Sequence, residues 1–559
     1  MFVSEFSVWV SSARERYLSA KKLLEAAVDD PPSEPYKSKY AAGAIFSDIK
    51  AQLENQWRSN AILQVNLVSA LLNYELGMIA VETEEKTAGG HLLETCLEEI
   101  KDVKQKPECC VLALSTLNQL GVLWSERGET EKALSFLLES ETLYTEYKNS
   151  NKTCPLVLDD IFLHENSEGS GWVEFEKRFT YTTYFLAQVY SHMDEIEKAA
   201  YYCRETLRRQ KESGDYETLE WVRNCFTLSQ LYTQKKLYQE SRHLMSCAAH
   251  VLLKYELKVQ EKLEGNQDTW TEVHQCKASL SRCWIKYAIA VLSDTQNDED
   301  KDVEQFSRLL EDEAVLTIEN RIPHHAKSLE DAKSLFIFAQ NHVSVAQSYF
   351  TLNEHATDFA EITRDHSQLY KHLASLDPDI QRKCKMHKRR SDMLEELLGK
   401  LNPTYYLSVC RQLQFELGEL CYEMIDLKSG GKCSEELTFQ VGAKINILAS
   451  KGIGHFLNFT STLKDKSGKL PEVFSDDLAR PALIAHFYMA KYFSRIIEGG
   501  NNRKLHNFQK MEQNYKYIVR YVERNAQHAA CVEKELPVIK EMLELMPEKM
   551  LQITGSTVY

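Results

Sequence analysis

Glycine and proline are scarce in this 559-residue chain, at 21 and 12 residues, well below their average usage of about 7% and 5%. Too few remain to build the tight turns of a sheet with many hairpins, which argues against a β-protein. Positive charge is also in deficit. Against 82 acidic residues stand 67 basic ones, a formal net charge of −15, which argues against the broad basic footprint of a nucleic-acid binder. The excess of acid suits a basic partner, or simply solubility. No run approaches the ~18 apolar residues of a membrane span, and no signal peptide with a clear cleavage site opens the chain. The 14 cysteines are scattered, with only Cys109 and Cys110 adjacent. Free thiols in a reducing, cytoplasmic compartment are therefore expected. Asn151-Lys152-Thr153 and Asn458-Phe459-Thr460 match the glycosylation pattern and read as chance without a secretion signal.

What is abundant is Leu, Ala, Glu and Lys, the residues of helices, and a hydrophobic content of 43%. A repeat array can use that content without a single closed core. Leu120-Gly121 with Trp124 is followed by Ala133 and Leu137. A tetratricopeptide-like (TPR-like) unit needs this arrangement: a small residue on each of two antiparallel helices where they cross, with large apolar residues around both. The geometry recurs. Leu76-Gly77 is answered by Gly89 and Leu93, Leu186-Ala187 with Tyr190 by Ala199 and Cys203, and Leu228-Ser229 with Tyr232 by Ser241 and Met245. In each unit the two small residues are 12 apart, and the first of them lie 44, 66 and 42 positions apart along the chain. The long step contains Lys148 to Gly171, whose Pro155, Gly169 and polar cluster predict an extended inter-repeat loop.

The second half reads as a further stack of degenerate pairs. Cys283, Trp284, Tyr287 and Val291 form a helical stripe. From Asp294 to Glu313 there are 9 acids and 2 bases, predicting a loop and then a charged connecting helix carrying Val303, Phe306 and Leu310. Helix-pair texture resumes at Ala326 to Phe350. Thr351 to Thr363 reads as turn-like, a helix runs from about Pro378 through Leu398, and Asn402-Pro403 opens another. Leu417-Gly418 with Cys421-Tyr422 resembles a first-helix core. Pro481 to Ile497, Leu505 to Val522 and Glu533 to Leu545 close the array. The expected fold is all-α, a right-handed α-solenoid in two halves, 1–265 and 326–559, joined by a linker-helix region with an acidic loop at 266–325.

Catalytic signatures are missing. Gly430-Gly431-Lys432 lacks the spacing and the Ser/Thr of a P-loop, and Gly452-Ile453-Gly454 is half a dinucleotide fingerprint with no strand before it. There is no H-E-x-x-H, paired C-x-x-C or G-x-S-x-G. His324-His325 lacks partners at ligand spacing and reads as a loop pair. No catalytic, metal-binding or cofactor-binding residue is assigned, and the chain is expected not to be an enzyme. Three readings stand for the basic run Arg382 to Arg390: a solvated helix face, an import-like patch, or a contact for acidic surfaces. Spacing puts Lys385, Lys388 and Arg389 on one side of a helix.

In a solenoid the first helices of successive pairs line the concave wall. With Leu186, Ala187 and Tyr190 turned inward, Phe185 and Gln188 face the groove, and Thr227 and Gln230 take similar places on the next unit. The Lys, Arg and Asn pattern with which TPR clamps grip a chaperone carboxylate is absent.

These residues, together with Glu34 to Tyr40, Leu120 to Arg127, Leu186 to Tyr190, Arg282 to Tyr287, Arg382 to Arg390, Leu401-Asn402-Pro403 and Arg480-Pro481-Ala482, resemble the KIF-binding protein family of kinesin-motor-binding TPR-like proteins. The resemblance implies a protein of the cytoplasm and cytoskeleton that binds kinesin motor domains and blocks their attachment to microtubules. A role in axonal microtubule organisation and axon outgrowth is implied with it. By motif match Phe185, Gln188, Gln210 and Thr227 fall in the family's motor-facing groove. Phe185 stands where the family has tyrosine. Thr357, Asp358 and Ile362 match a second contact loop in the other half. Kinesin motor domains, with other microtubule-associated regulators, are the expected partners of a monomer that binds no nucleic acid and inserts in no membrane. The competing reading is a TPR adaptor that links cargo or a regulator to motors without inhibiting them.

Overall fold

The computed structural model describes residues 2–57, 63–150, 153–162, 170–261, 267–294, 308–430, 437–497 and 500–554. Among these residues there are twenty α-helices and no strand. The chain forms two compact units, Met1–Leu228 and Ser229–Tyr559.

The first unit holds α1 (Phe2–Ala26), α2 (Lys37–Trp57), α3 (Leu63–Glu82), α4 (Lys86–Glu99), α5 (Cys110–Glu126), α6 (Thr130–Ser150), α7 (Ser170–His192), α8 (Ile196–Ser213) and the start of α9 (Thr218–Gln234). Its helices pair as α1 with α2, α3 with α4, α5 with α6 and α7 with α8, while α5 also touches α7. Contact confined to near neighbours along the chain is the signature of an α-solenoid.

The expected crossings are present. A methyl group built on Gly77 would stand 2.9 Å from Leu93 Cγ, and one on Gly121 would stand 2.7 Å from Leu137 Cγ. Gly89 closes on the Gly77 carbonyl, where a Cβ would come within 2.9 Å of the oxygen. A second regularity comes with these crossings. Seven residues after each small first-helix residue the backbone turns left-handed, at Glu84 (φ 68°), Gly128 (φ 79°), Asp194 (φ 60°) and Lys236 (φ 62°). The next N–H then bonds back five residues: Glu85 to Ala80 at 2.8 Å, Glu129 to Trp124 at 3.0 Å, Glu195 to Tyr190 at 2.9 Å and Leu237 to Tyr232 at 2.9 Å. This closes the exposed carbonyls at each helix end.

The inter-repeat loop is more than a connector. Its described part, 153–162, carries the apolar run Leu156, Leu158, Ile161 and Phe162, all buried. Leu156 N–H donates to the Pro107 carbonyl at 2.8 Å, and the Phe162 ring lies 5.1 Å from that of Tyr17 on α1. Gly169 lies outside the described residues.

The second unit holds the end of α9, then α10 (Tyr238–Glu261), α11 (Gln267–Ser293), α12 (Glu313–Asn320), α13 (Leu329–Tyr349), α14 (Ala356–Leu376), α15 (Ile380–Lys400), α16 (Leu407–Ser429), α17 (Phe439–Ser461), α18 (Asp476–Arg495), α19 (Asn501–Arg524) and α20 (Leu536–Thr554). Here α11 pairs with α13, α14 with α15, α16 with α17 and α18 with α19. The stripe on α11 is buried, with Trp284 5.3 Å from Phe338 of α13. α11, which lies in the expected linker region, is therefore packed into this stack. Gly418 meets the Phe456 ring, where a Cβ would approach to 2.6 Å, and Gly452 meets Tyr492. The apparent half-fingerprint at Gly452 is therefore another close crossing in mid-helix.

Two local expectations are corrected. Asn402-Pro403 does not open a helix: the Asn402 side chain accepts the Thr404 N–H at 2.9 Å, making a turn that delays α16 to Leu407. Thr351 to Thr363 is a turn only as far as His355, and α14 begins at Ala356. Of the acidic segment, Val303 and Phe306 lie outside the described residues, and α12 starts behind an Asp312 cap that accepts Ala314 N–H at 2.9 Å.

The crossings make a sharp prediction. Gly121→Ala and Gly418→Ala force an overpacked contact and lower stability by about 1–3 kcal/mol. Gly454→Ala, where a methyl group on α17 meets nothing within 4 Å, raises stability by about 0.5–1 kcal/mol. Urea unfolding of the three variants checks the opposite signs.

Candidate partner-binding grooves

In the first unit the inward faces of α3 and α5 are closed. Glu75 is 3% exposed, holds Lys21 at 2.9 Å and accepts the Tyr17 hydroxyl at 2.7 Å. The Gln64 amide donates to the Phe162 carbonyl at 3.0 Å, so α1 and the segment up to Phe162 cover this wall. A buried polar ladder sets the rotation of α7. The Thr182 hydroxyl donates to Asn118 Oδ1 at 2.8 Å, and the Thr206 hydroxyl donates to that of Thr183 at 2.9 Å.

With Thr182 and Thr183 turned inward, the opposite face of α7 is open to solvent. Tyr181 and Tyr184 are 43% and 40% exposed, Gln188 is exposed, and Phe185 is half-buried with its ring 5.4 Å from that of Tyr184. Phe185 and Gln188 thus share one stripe, as their spacing predicts. Sequence reasoning missed Tyr181 and Tyr184, although both sit at helical spacing from that pair. On α9 Thr227 is exposed, continuing a stripe with Glu220 and Asn224. Gln210 is placed differently: it is half-buried at the last turn of α8, and its carbonyl accepts the Gly214 N–H at 3.1 Å. That end of α8 lies beside the N-terminal half of α7, where Arg209 pairs with Glu176 at 3.0 Å. Gln230 belongs to the second unit, half-buried, its amide 3.3 Å from Ser229 Oγ.

The second unit has a groove of its own. α14, α16 and α18 line a cavity of about 480 Å³, which adjoins one of about 360 Å³ through Arg364, Ser408 and Gln412. Thr357 lines the smaller cavity from the first turn of α14. Asp358, also on that turn, is ion-paired to Arg282 of α11. Ile362 is 0% exposed. It is a core residue of α14, so its matched role as a contact is corrected: the helix turns it away from solvent.

The basic run on α15 divides. Lys385, Lys388 and Arg389 are exposed, as the spacing predicts, while His387 and Arg390 point inward. Arg390, only 1% exposed, donates to Ser367 Oγ at 3.1 Å and to Glu423 at 3.0 Å, and lies 3.6 Å from Glu416. Glu416 also meets Arg364 at 3.4 Å, and Glu423 meets Lys371 at 3.5 Å. A buried guanidinium is tolerated because its charge is matched and its donors are occupied. Burial, with Arg390 alongside, pushes His387 down to about 4. Burial raises Glu419, whose carboxylate accepts a bond from Tyr488.

Neither groove assembles catalytic chemistry. Among the described residues no group of three His, Cys, Asp or Glu could hold a metal ion. His324 Nδ1 instead lies 3.2 Å from Arg242 Nη1. Cys109 and Cys110 are unpaired, and burial pushes both up to about 12. No described helix is long and apolar enough to cross a membrane.

Fold and grooves together define a helical-repeat protein shaped to bind another macromolecule. Residues 219–553 match the family model described as KIF-1 binding protein C terminal. The chain is 35% identical to the KIF-binding protein of Gallus gallus, covering 97% of each, and 33% identical to that of Homo sapiens, covering 93% of this chain and 94% of the other. It is 27% identical to the Drosophila melanogaster KIF-binding protein over 97% of this chain and 96% of that one. A cryo-EM structure of the KIFBP core is 31% identical, covers 51% of this chain and 94% of its own, and superposes with a TM-score of 0.35. The chain belongs to the KIF-binding protein family.

The buried histidines of the second unit predict its acid response. Burial lowers His342, His366 and His387 from 6.5 to about 4. Unfolding lets them take up protons, so the stability they confer is complete above pH 6.5 and declines as pH falls toward 4. Asp365, raised by burial from 3.8 to about 6, works in the opposite direction and offsets one of the three. The unfolding midpoint is therefore expected to fall between pH 6.5 and 4.5. His342→Gln should flatten that fall in a thermal melt series.

Proposed function

We propose that this chain binds kinesin motor domains along the grooves of its two units and keeps them from attaching to microtubules. The observation that carries this reading is end-to-end identity with relatives named KIF-binding protein. The physical chemistry is consistent with it. A motor must attract acidic tubulin through its microtubule-facing surface, so a chain of net charge −15 can compete for the same surface. The exposed stripe of Tyr181, Tyr184, Phe185 and Gln188 supplies aromatic contact area and hydrogen-bonding groups in one line. Phe185 lacks a hydroxyl, and the phenols of Tyr181 and Tyr184 stand about one turn away. Sequestration of this kind acts in the cytoplasm on the cytoskeleton. It regulates motor activity, axonal microtubule organisation and axon outgrowth, and it requires no catalysis, cofactor or second copy of the chain.

Gln188→Lys with Thr227→Lys places like charge against a basic motor surface. The double variant should bind a purified motor domain at least about tenfold more weakly while melting like the wild type. A folded double variant with unchanged affinity would remove the α7–α9 stripe from the interface. Single-motor landing assays on microtubules test inhibition itself. Fewer landings support sequestration, and unchanged landings by a motor that still binds the chain favour the adaptor reading.

A further inference from the structure

Charges along the second unit's groove are matched pair by pair, with one exception. Glu416 faces Arg364 and Arg390, and Glu423 faces Arg390 and Lys371. Glu419 lies between them on α16, half-buried in the wall of the cavity of about 480 Å³. Among the described residues no Lys or Arg comes within ion-pair distance of it, and its neighbour Tyr488 supplies a hydroxyl rather than a charge. The nearby cations are already engaged. Lys371 is 3.5 Å from Glu423, and Arg390 is held by Ser367, His387 and Glu423. A carboxylate withdrawn from water without a matching charge is unfavourable, and an incoming cation relieves it. The arrangement does not suit a divalent metal ion, which needs several free oxygen ligands, because Glu416 and Glu423 are neutralised by arginine and lysine.

We propose that Glu419 seats one lysine or arginine side chain of the partner held in this groove, and that it selects partners by that charge. The identity of the partner rests on the motor-binding reading above. The cavity far exceeds the ~30 Å³ share of a single water molecule, and it opens onto the groove that Thr357 lines. Glu419 therefore supplies the groove with a point of specificity, while the paired charges around it hold the wall in shape.

Calorimetric titration of the full chain with a purified kinesin motor domain tests this. Glu419→Gln should weaken binding about tenfold or more, as loss of a charged hydrogen-bond partner does. Glu419→Asp should retain more of the affinity, and the exposed control Glu544→Gln should match the wild type. All three should melt like the wild type. Glu419→Gln binding as tightly as the wild type overturns the proposal. If the wild type itself fails to bind the motor domain, the proposed function falls, and a lysine-rich peptide becomes the probe for Glu419. Tighter binding of that peptide by the wild type than by Glu419→Gln supports the seat, and equal binding overturns it.

Discussion

Close crossing of paired helices is the constraint on which the rest of this structure depends. Two helices approach closely only where both present small residues, and each then needs a large apolar partner to fill the space beside the crossing. Gly77 with Gly89 and Leu93, Gly121 with Leu137, Gly418 with Phe456 and Gly452 with Tyr492 all meet that requirement. The left-handed turns at Glu84, Gly128, Asp194 and Lys236 keep the same phase relative to the crossing residue. Each pair is thereby joined in the same geometry whatever the identity of the turn residue. Glu, Asp and Lys accept a backbone conformation that glycine adopts more readily because the six-to-one bond and the crossing behind it hold the turn.

Once crossings set the stack, the faces left over decide function. In the first unit α1 and the segment 156–162 cover the walls of α3 and α5, and the buried ladder of Asn118, Thr182, Thr183 and Thr206 sets the rotation of α7. Tyr181, Tyr184 and Gln188 face solvent as a result. The second unit is organised by charge instead. Arg390 reaches through from α15 to hold Glu416 and Glu423 at the groove, which keeps the wall rigid and leaves Glu419 as its unmatched carboxylate. Both grooves fit a partner with basic and hydrogen-bonding surface, and both lack a constellation that could make or break a covalent bond.

Much of the fold was legible in the residues. Period-3.6 stripes, the 12-residue spacing of small residues and the scarcity of glycine and proline sufficed for helix pairs in repeat. Misreadings arose where local chemistry competes with pattern. Asn402 uses its side chain to make a turn where proline would otherwise begin a helix, and His355 ends a turn that polarity alone extended to Thr363. The apolar run Leu156 to Phe162 was taken with the polar residues that follow it, so its burial went unseen.

The candidate sites were legible to a lesser degree. Phe185, Gln188 and Thr227 lie on exposed faces because a helical stripe is periodic and the inward residues can be recognised by their size. Ile362 is buried and Gln210 sits at the far end of its helix pair, because motif matching reports position along the chain and not which way a face turns. Arg390 looked like one more member of a basic run. Its burial against Glu416 and Glu423 depends on residues 26 and 33 positions further along the chain, brought near by the stacking of α15 on α16. Sequence by itself determined the helix pairs and their crossings, since those rest on spacings within one hairpin. Tertiary structure alone decided which walls are covered, which charges are paired and which carboxylate is left unmatched, since those depend on contacts between hairpins that no local pattern encodes.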